Sequence, residues 1–122
     1  GYTIKMFYSN SNAIAQTLVK FYEHERMILD SVKWAYEKMD INSENGEKIY
    51  KQYIDMIDCL NRLYLLCIKY TMKSSEDAVK NFMNKTIEFS AHRKTVLREL
   101  IAFLKNEYVK YVSIKPMINQ NI

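Results

Sequence analysis

Breakers of regular structure are nearly missing: the 122 residues include two glycines and one proline. Sandwiches and barrels need a tight turn every few residues, and such turns draw on glycine, proline, asparagine and aspartate. So thin a supply argues against an all-β design and for long helices. Cysteine is scarce too. Cys59 and Cys67 stand alone, and their spacing corresponds to about 12 Å of helical rise, too far for a disulfide within one helix. No Cys-x-x-Cys or Cys/His ligand spacing is present, which speaks against a zinc site. The expectation is two free thiols, buried or half-buried, in a reducing, intracellular setting, cytoplasmic or membrane-peripheral. No run of 18 apolar residues marks a membrane-spanning helix, and no signal peptide is visible. The first residue is glycine rather than methionine, which fits a piece of a larger protein. No internal repeat or low-complexity tract interrupts the chain.

Apolar residues are plentiful, at 48%, and the length suits one domain with a core of its own. The net charge of +4 is uneven. Residues 1–90 hold twelve Lys/Arg and twelve Asp/Glu, whereas residues 91–122 hold six Lys/Arg against two acids. An acidic partner or an anionic membrane surface would use such a bias; a solvated face has no need of one.

The apolar periodicity predicts an all-α, antiparallel bundle of about four helices. The first is expected over 12–40, capped by the cluster Ser9 to Asn12. Its stripe runs through Ile14, Leu18, Phe21, Ile28 and Val32, interrupted by Glu25. A loop is expected over 41–46, with Asn45-Gly46 as a turn between antiparallel helices. The second helix, 47–72, carries Ile49, Tyr53, Met56, Leu60, Leu63, Cys67 and Tyr70 in one row and only a narrow polar strip, so it is read as central. A third helix, 75–89, points Val79, Phe82, Met83 and Ile87 inward, with a kink or cap at Ser90. A fourth covers 91–112. Pro116 is expected to stop it, leaving 114–122 as a flexible tail. Residues 2–8 fit a short strand, a helical turn or an extended arm.

Few residues have the types and spacing that chemistry requires. His24 and His92 have no metal-ligand partner at helical spacing, and both read as surface residues. Glu25, on the apolar stripe, reads as one half of an ion pair with an Arg or Lys of another helix, or as a point where the stripe opens to solvent. Asp55 and Asp58 lie one turn apart, but Lys51 and Arg62 sit at i,i+4 from them and make a charged strip the simpler reading. No Glu-x-x-His pair, Gly-rich loop or nucleophile with a base partner occurs. Catalytic, cofactor and metal sites are therefore expected to be absent. Trp34, off the main seam, reads as core rim or as an interface anchor. Arg93, Lys94, Arg98 and Lys105 read as a partner-facing basic cluster.

At the second helix a family pattern emerges. Ile49-Tyr50-Lys51, followed by Leu60, Tyr64 and Cys67, resembles the late helices of ANTH domains, the adaptor domains of clathrin-assembly proteins. Trp34, Tyr36 and Met39 are similar to the aromatic-rich helix that precedes that element, and Thr95, Leu97, Leu100, Phe103 and Leu104 to a later one. The resemblance covers about residues 18–105. It departs from the family between Cys67 and Thr95, where an ordered helix replaces a looser connection. The family's lysine-rich phosphoinositide site lies in first helices that have no counterpart here, so no lipid-binding residue carries over. The resemblance implies an endocytic adaptor bundle that docks helices of membrane-fusion proteins. His92-Arg93-Lys94, Val96-Leu97-Arg98 and Ala102-Phe103-Leu104 also resemble the last helix of BAG domains, which bind a chaperone ATPase, although Ile101 stands where that family has a polar contact. The richness in Tyr, Met, Ile and Asn is similar to that of poxvirus proteins with a Bcl-like helical fold.

The sequence thus points to a non-catalytic protein-interaction module, an endocytic adaptor bundle by its ANTH resemblance. Its expected partner is another protein, met through a helical or acidic surface, with an anionic membrane surface as a further option and no nucleic acid. The alternatives are a viral or parasite Bcl-like bundle that sequesters a host protein, and a BAG-like chaperone-binding bundle.

Overall fold

The computed structural model describes the backbone of residues 2–72 and 75–120, and side chains at 10–72 and 75–114. It contains three α-helices: α1, Tyr2–Lys38; α2, Glu44–Thr71; and α3, Glu76–Gln120. No strand occurs among the described residues. The all-α class holds and the helix count is three rather than four.

Each difference in helix bounds has a physical cause. Helix α1 starts at Tyr2, so residues 2–8 are helical and the cluster Ser9 to Asn12 lies inside the helix rather than capping it. Neither Gly nor Pro falls between Tyr2 and Lys38, and exposed Ser or Asn costs a helix under about 0.7 kcal/mol per residue. Helices three and four of the sequence reading are one continuous α3. Met83 and Ile87 are exposed, while Val79, Phe82, Val96 and Leu100 are buried with Phe89 half-buried between them. With Met83 and Ile87 taken as core, the apolar phase breaks at Ser90. With Phe89 and Arg93 taken as inward, it runs through unbroken. The helix also continues past Pro116 to Gln120. Proline there removes the bond from its own nitrogen to the carbonyl of Val112, and Val112 is exposed, where water can replace that donor.

The α1–α2 link is a tight helix end. Ile41 N–H donates to the Tyr36 carbonyl at 2.9 Å and Asp40 N–H to the Glu37 carbonyl at 3.2 Å, a Schellman arrangement. Asp40 takes the left-handed position with φ 51°. Ser43 caps α2, its hydroxyl accepting from Gly46 N–H at 3.0 Å. Asn45-Gly46 is therefore the first turn of α2 and not part of the loop. Gly46 has no positive φ. It is glycine because a Cβ there would stand 2.7 Å from Ile41 Cγ2 and 2.9 Å from Phe103 Cζ. Tyr36 also donates its hydroxyl to the Gly46 carbonyl at 2.6 Å, so all three helices meet at this residue. At the other connection, Ser75 Oγ accepts from Ala78 N–H at 3.3 Å and opens α3.

Helix α2 is central, packed between α1 and α3, which touch each other less. The core falls into two clusters. Leu29, Val32, Tyr53, Met56, Ile57, Val96 and Leu100 form one, and Leu63, Cys67, Tyr70, Val79 and Phe82 form the other. Phe89 packs on both. Contacts of Tyr36 with Tyr50, and of Asn81 with Tyr70, show α2 running antiparallel to both neighbours.

Candidate functional site

The polar interior decides which charges are free. Glu25 is completely buried. Its Oε1 accepts from Arg93 Nη2 at 2.6 Å and Nε at 2.8 Å, and its Oε2 accepts from the Tyr53 hydroxyl at 2.9 Å. The Arg93 guanidinium also lies over the Phe21 ring, 4.8 Å from its centroid. Burial, followed by the hydrogen bond and charge of Glu25, pushes the Tyr53 phenol well above its ordinary value, so it stays a donor. The ion pair read from Glu25 is thus real, and its partner is Arg93. This corrects the basic cluster: Arg93 is turned inward and neutralised, and only Lys94, Arg98 and Lys105 are outward.

Those three lie on one exposed strip of α3. Lys80, Met83, Ile87, Lys94, Arg98, Ile101, Lys105, Tyr108 and Val112 follow one another by three, four or seven residues, which keeps them on a single face. All nine are exposed, Ile87 at 68%. Lys80 pairs with Glu76 at 3.4 Å. Lys94, Arg98 and Lys105 take part in no ion pair among the described residues. The outer face of α3 is thus a second amphipathic stripe, apolar and cationic, opposite the one that builds the core.

Trp34 is 65% exposed, not core rim. Met27, seven residues earlier on α1, is exposed on the same face. His24 and His92 are both at the surface, as read from the sequence. Asp55 and Asp58 are exposed, and neither is ion-paired to Lys51 or Arg62 among the described residues. The two thiols are free, Cys59 half-buried and Cys67 buried, and burial pushes the Cys67 thiol upward. Among the described residues no group of three or more His, Cys, Asp or Glu could hold a metal ion, and no helix is long and apolar enough to cross a membrane.

Sequence reasoning missed the apolar half of the α3 strip. The signal is present in the spacing of Met83, Ile87, Ile101 and Tyr108, but the sequence reading points Met83 and Ile87 inward. In comparisons with protein-family models, curated proteins and solved structures, nothing matches this chain.

Proposed function

We propose that the chain is a non-catalytic protein-interaction module whose working surface is the outer face of α3, and that its partner is an acidic amphipathic helix. The observation that carries this reading is the set of unpaired cations Lys94, Arg98 and Lys105 interleaved with exposed Ile87, Ile101 and Tyr108. An apolar strip flanked by one sign of charge is what helix-in-groove and helix-on-helix recognition uses. The cations steer encounter and set register, while the apolar residues supply buried area. Within this reading the ANTH-like pattern supplies the finer version, an endocytic adaptor bundle that docks helices of membrane-fusion proteins.

The test is binding of a synthetic helix with Leu on one face and Glu flanking it, followed by fluorescence anisotropy. Arg98→Glu with Lys105→Glu should weaken binding at least about ten-fold, since each reversal replaces an attraction with a repulsion of similar size. Rising salt should weaken binding to the parent protein. Phosphatidylserine vesicles form a second arm. Vesicle binding with no peptide binding would reassign the strip to a membrane surface. Peptide binding that survives the reversal but is lost in Trp34→Ala would move the working surface to α1.

A further inference from the structure

Helices α2 and α3 leave a cleft of about 340 Å³ between them, lined only by residues of those two helices. It lies away from the outer strip of α3. Its wall is apolar, from Leu63, Leu66 and Phe89, and its rim carries Arg62, Lys85, Glu88, His92 and the Cys59 thiol. The two cations are held in an unusual way. Arg62 has Asp58 one turn back and Lys85 has Glu88 one turn ahead, yet neither cation is in an ion pair among the described residues. Arg62 Nη2 turns instead to Cys59 Sγ at 3.5 Å, a weak acceptor. That turn sets the guanidinium on the rim of the cleft with most of its five donors uncommitted to protein. A metal reading fails, because Cys59, Glu88 and His92 do not converge as a ligand set.

We infer that this cleft binds a small amphipathic carboxylate, of the kind represented by a medium-chain fatty acid anion. Arg62 offers the planar fork that a carboxylate accepts in two bonds, and Lys85 adds a point charge from the facing helix. The apolar wall takes the hydrocarbon body. Ligand sites of this type begin at about 300 Å³, so the cleft suits a short chain rather than a long lipid or a folded partner. The inference is independent of the α3 strip, since none of its residues belongs to that face.

Cys59 is a built-in reporter. It lines the cleft, whereas Cys67 is fully buried and serves as the unreactive reference in the same molecule. The experiment follows alkylation of Cys59 by iodoacetamide, read by mass spectrometry, with octanoate as the probe and octanol as its uncharged counterpart. Octanoate at about ten times its Kd should slow alkylation about ten-fold, because only the unoccupied fraction reacts. Octanol at the same concentration should leave the rate unchanged. Arg62→Gln with Lys85→Gln should abolish protection while the far-UV circular dichroism stays the same, as both side chains are exposed. Lys85→Gln alone should weaken protection, and it serves as the test if the double variant does not fold. Absence of protection by millimolar octanoate, equal protection by octanol, or protection that persists in the variants would each overturn the assignment.

Discussion

The carboxylate of Glu25 on α1 lies 2.6 Å from the guanidinium of Arg93 on α3, 68 positions along the chain, and is sealed from solvent. Breaking a buried pair leaves an uncompensated charge and costs about 3–5 kcal/mol. Arg93→Met should therefore lower stability by about that amount in urea unfolding. Glu25→Leu combined with Arg93→Met should recover most of the loss, because no charge is left buried. The Tyr53 hydroxyl keeps an acceptor in that double variant, since the Glu25 backbone carbonyl lies 3.3 Å away. A double variant as unstable as the single one would contradict this account.

Leu60 sits at 0% exposure on the central helix. Leu60→Ala should cost about 2–5 kcal/mol through lost burial and the cavity left behind. A loss inside the range of ordinary surface changes, about 0.5 kcal/mol, would mean that α2 is not the middle of the bundle.

Two substitutions around the α1–α2 link should act in opposite directions. Gly46→Ala forces a methyl to within 2.9 Å of Phe103 Cζ and 2.7 Å of Ile41 Cγ2, and overpacking of this kind costs about 1–3 kcal/mol. Asp40→Gly relieves the left-handed strain at φ 51° and should add about 0.5–1 kcal/mol. The urea midpoint reads both, with the denaturant slope expected to stay constant.

Tyr36 should carry part of the loss of stability at alkaline pH. Its phenol is pushed up to about 12 from the ordinary 10.0, by burial first and then by the nearby Glu107 and Tyr50. A raised folded value means the native state holds the proton after the unfolded chain has released it. The associated stability is complete below pH 10.0 and is lost as pH climbs through about 12. Tyr36→Phe should cost about 1 kcal/mol at neutral pH, through the lost hydrogen bond to Gly46. It should also flatten the decline above pH 10.0, which urea midpoints measured across the alkaline range would show.

The central position of α2 was legible in sequence because its row from Ile49 to Tyr70 is apolar nearly all round. The partner of Glu25 was not, since any of several basic residues met the spacing and only the tertiary approach of α1 to α3 selects Arg93. Continuity of α3 was obscured by its two apolar faces: a single row through Val79, Phe82 and Met83 looks coherent for two turns and then loses phase at Ser90. The Asn-Gly context alone places Gly46 in a turn, because the side chains that crowd a Cβ there come from Ile41 and from Phe103 on another helix. The free guanidinium of the α2–α3 cleft is hidden in the sequence because the i,i+4 spacing of Asp58 and Arg62 proposes an ion pair that the rotamer of Arg62 does not make.

The two faces of α3 divide the work of selection. Val79, Phe82, Val96 and Leu100 answer to the fold, and a change there is felt in stability. Ile87, Lys94, Arg98, Ile101 and Lys105 are exposed, so substitutions among them lie within about 0.5 kcal/mol of neutral for folding. In a lineage carrying this chain, the outer row is free to follow a changing partner while the inner row stands still. Drift along α3 should then be periodic, fast and slow positions alternating with the turn of the helix.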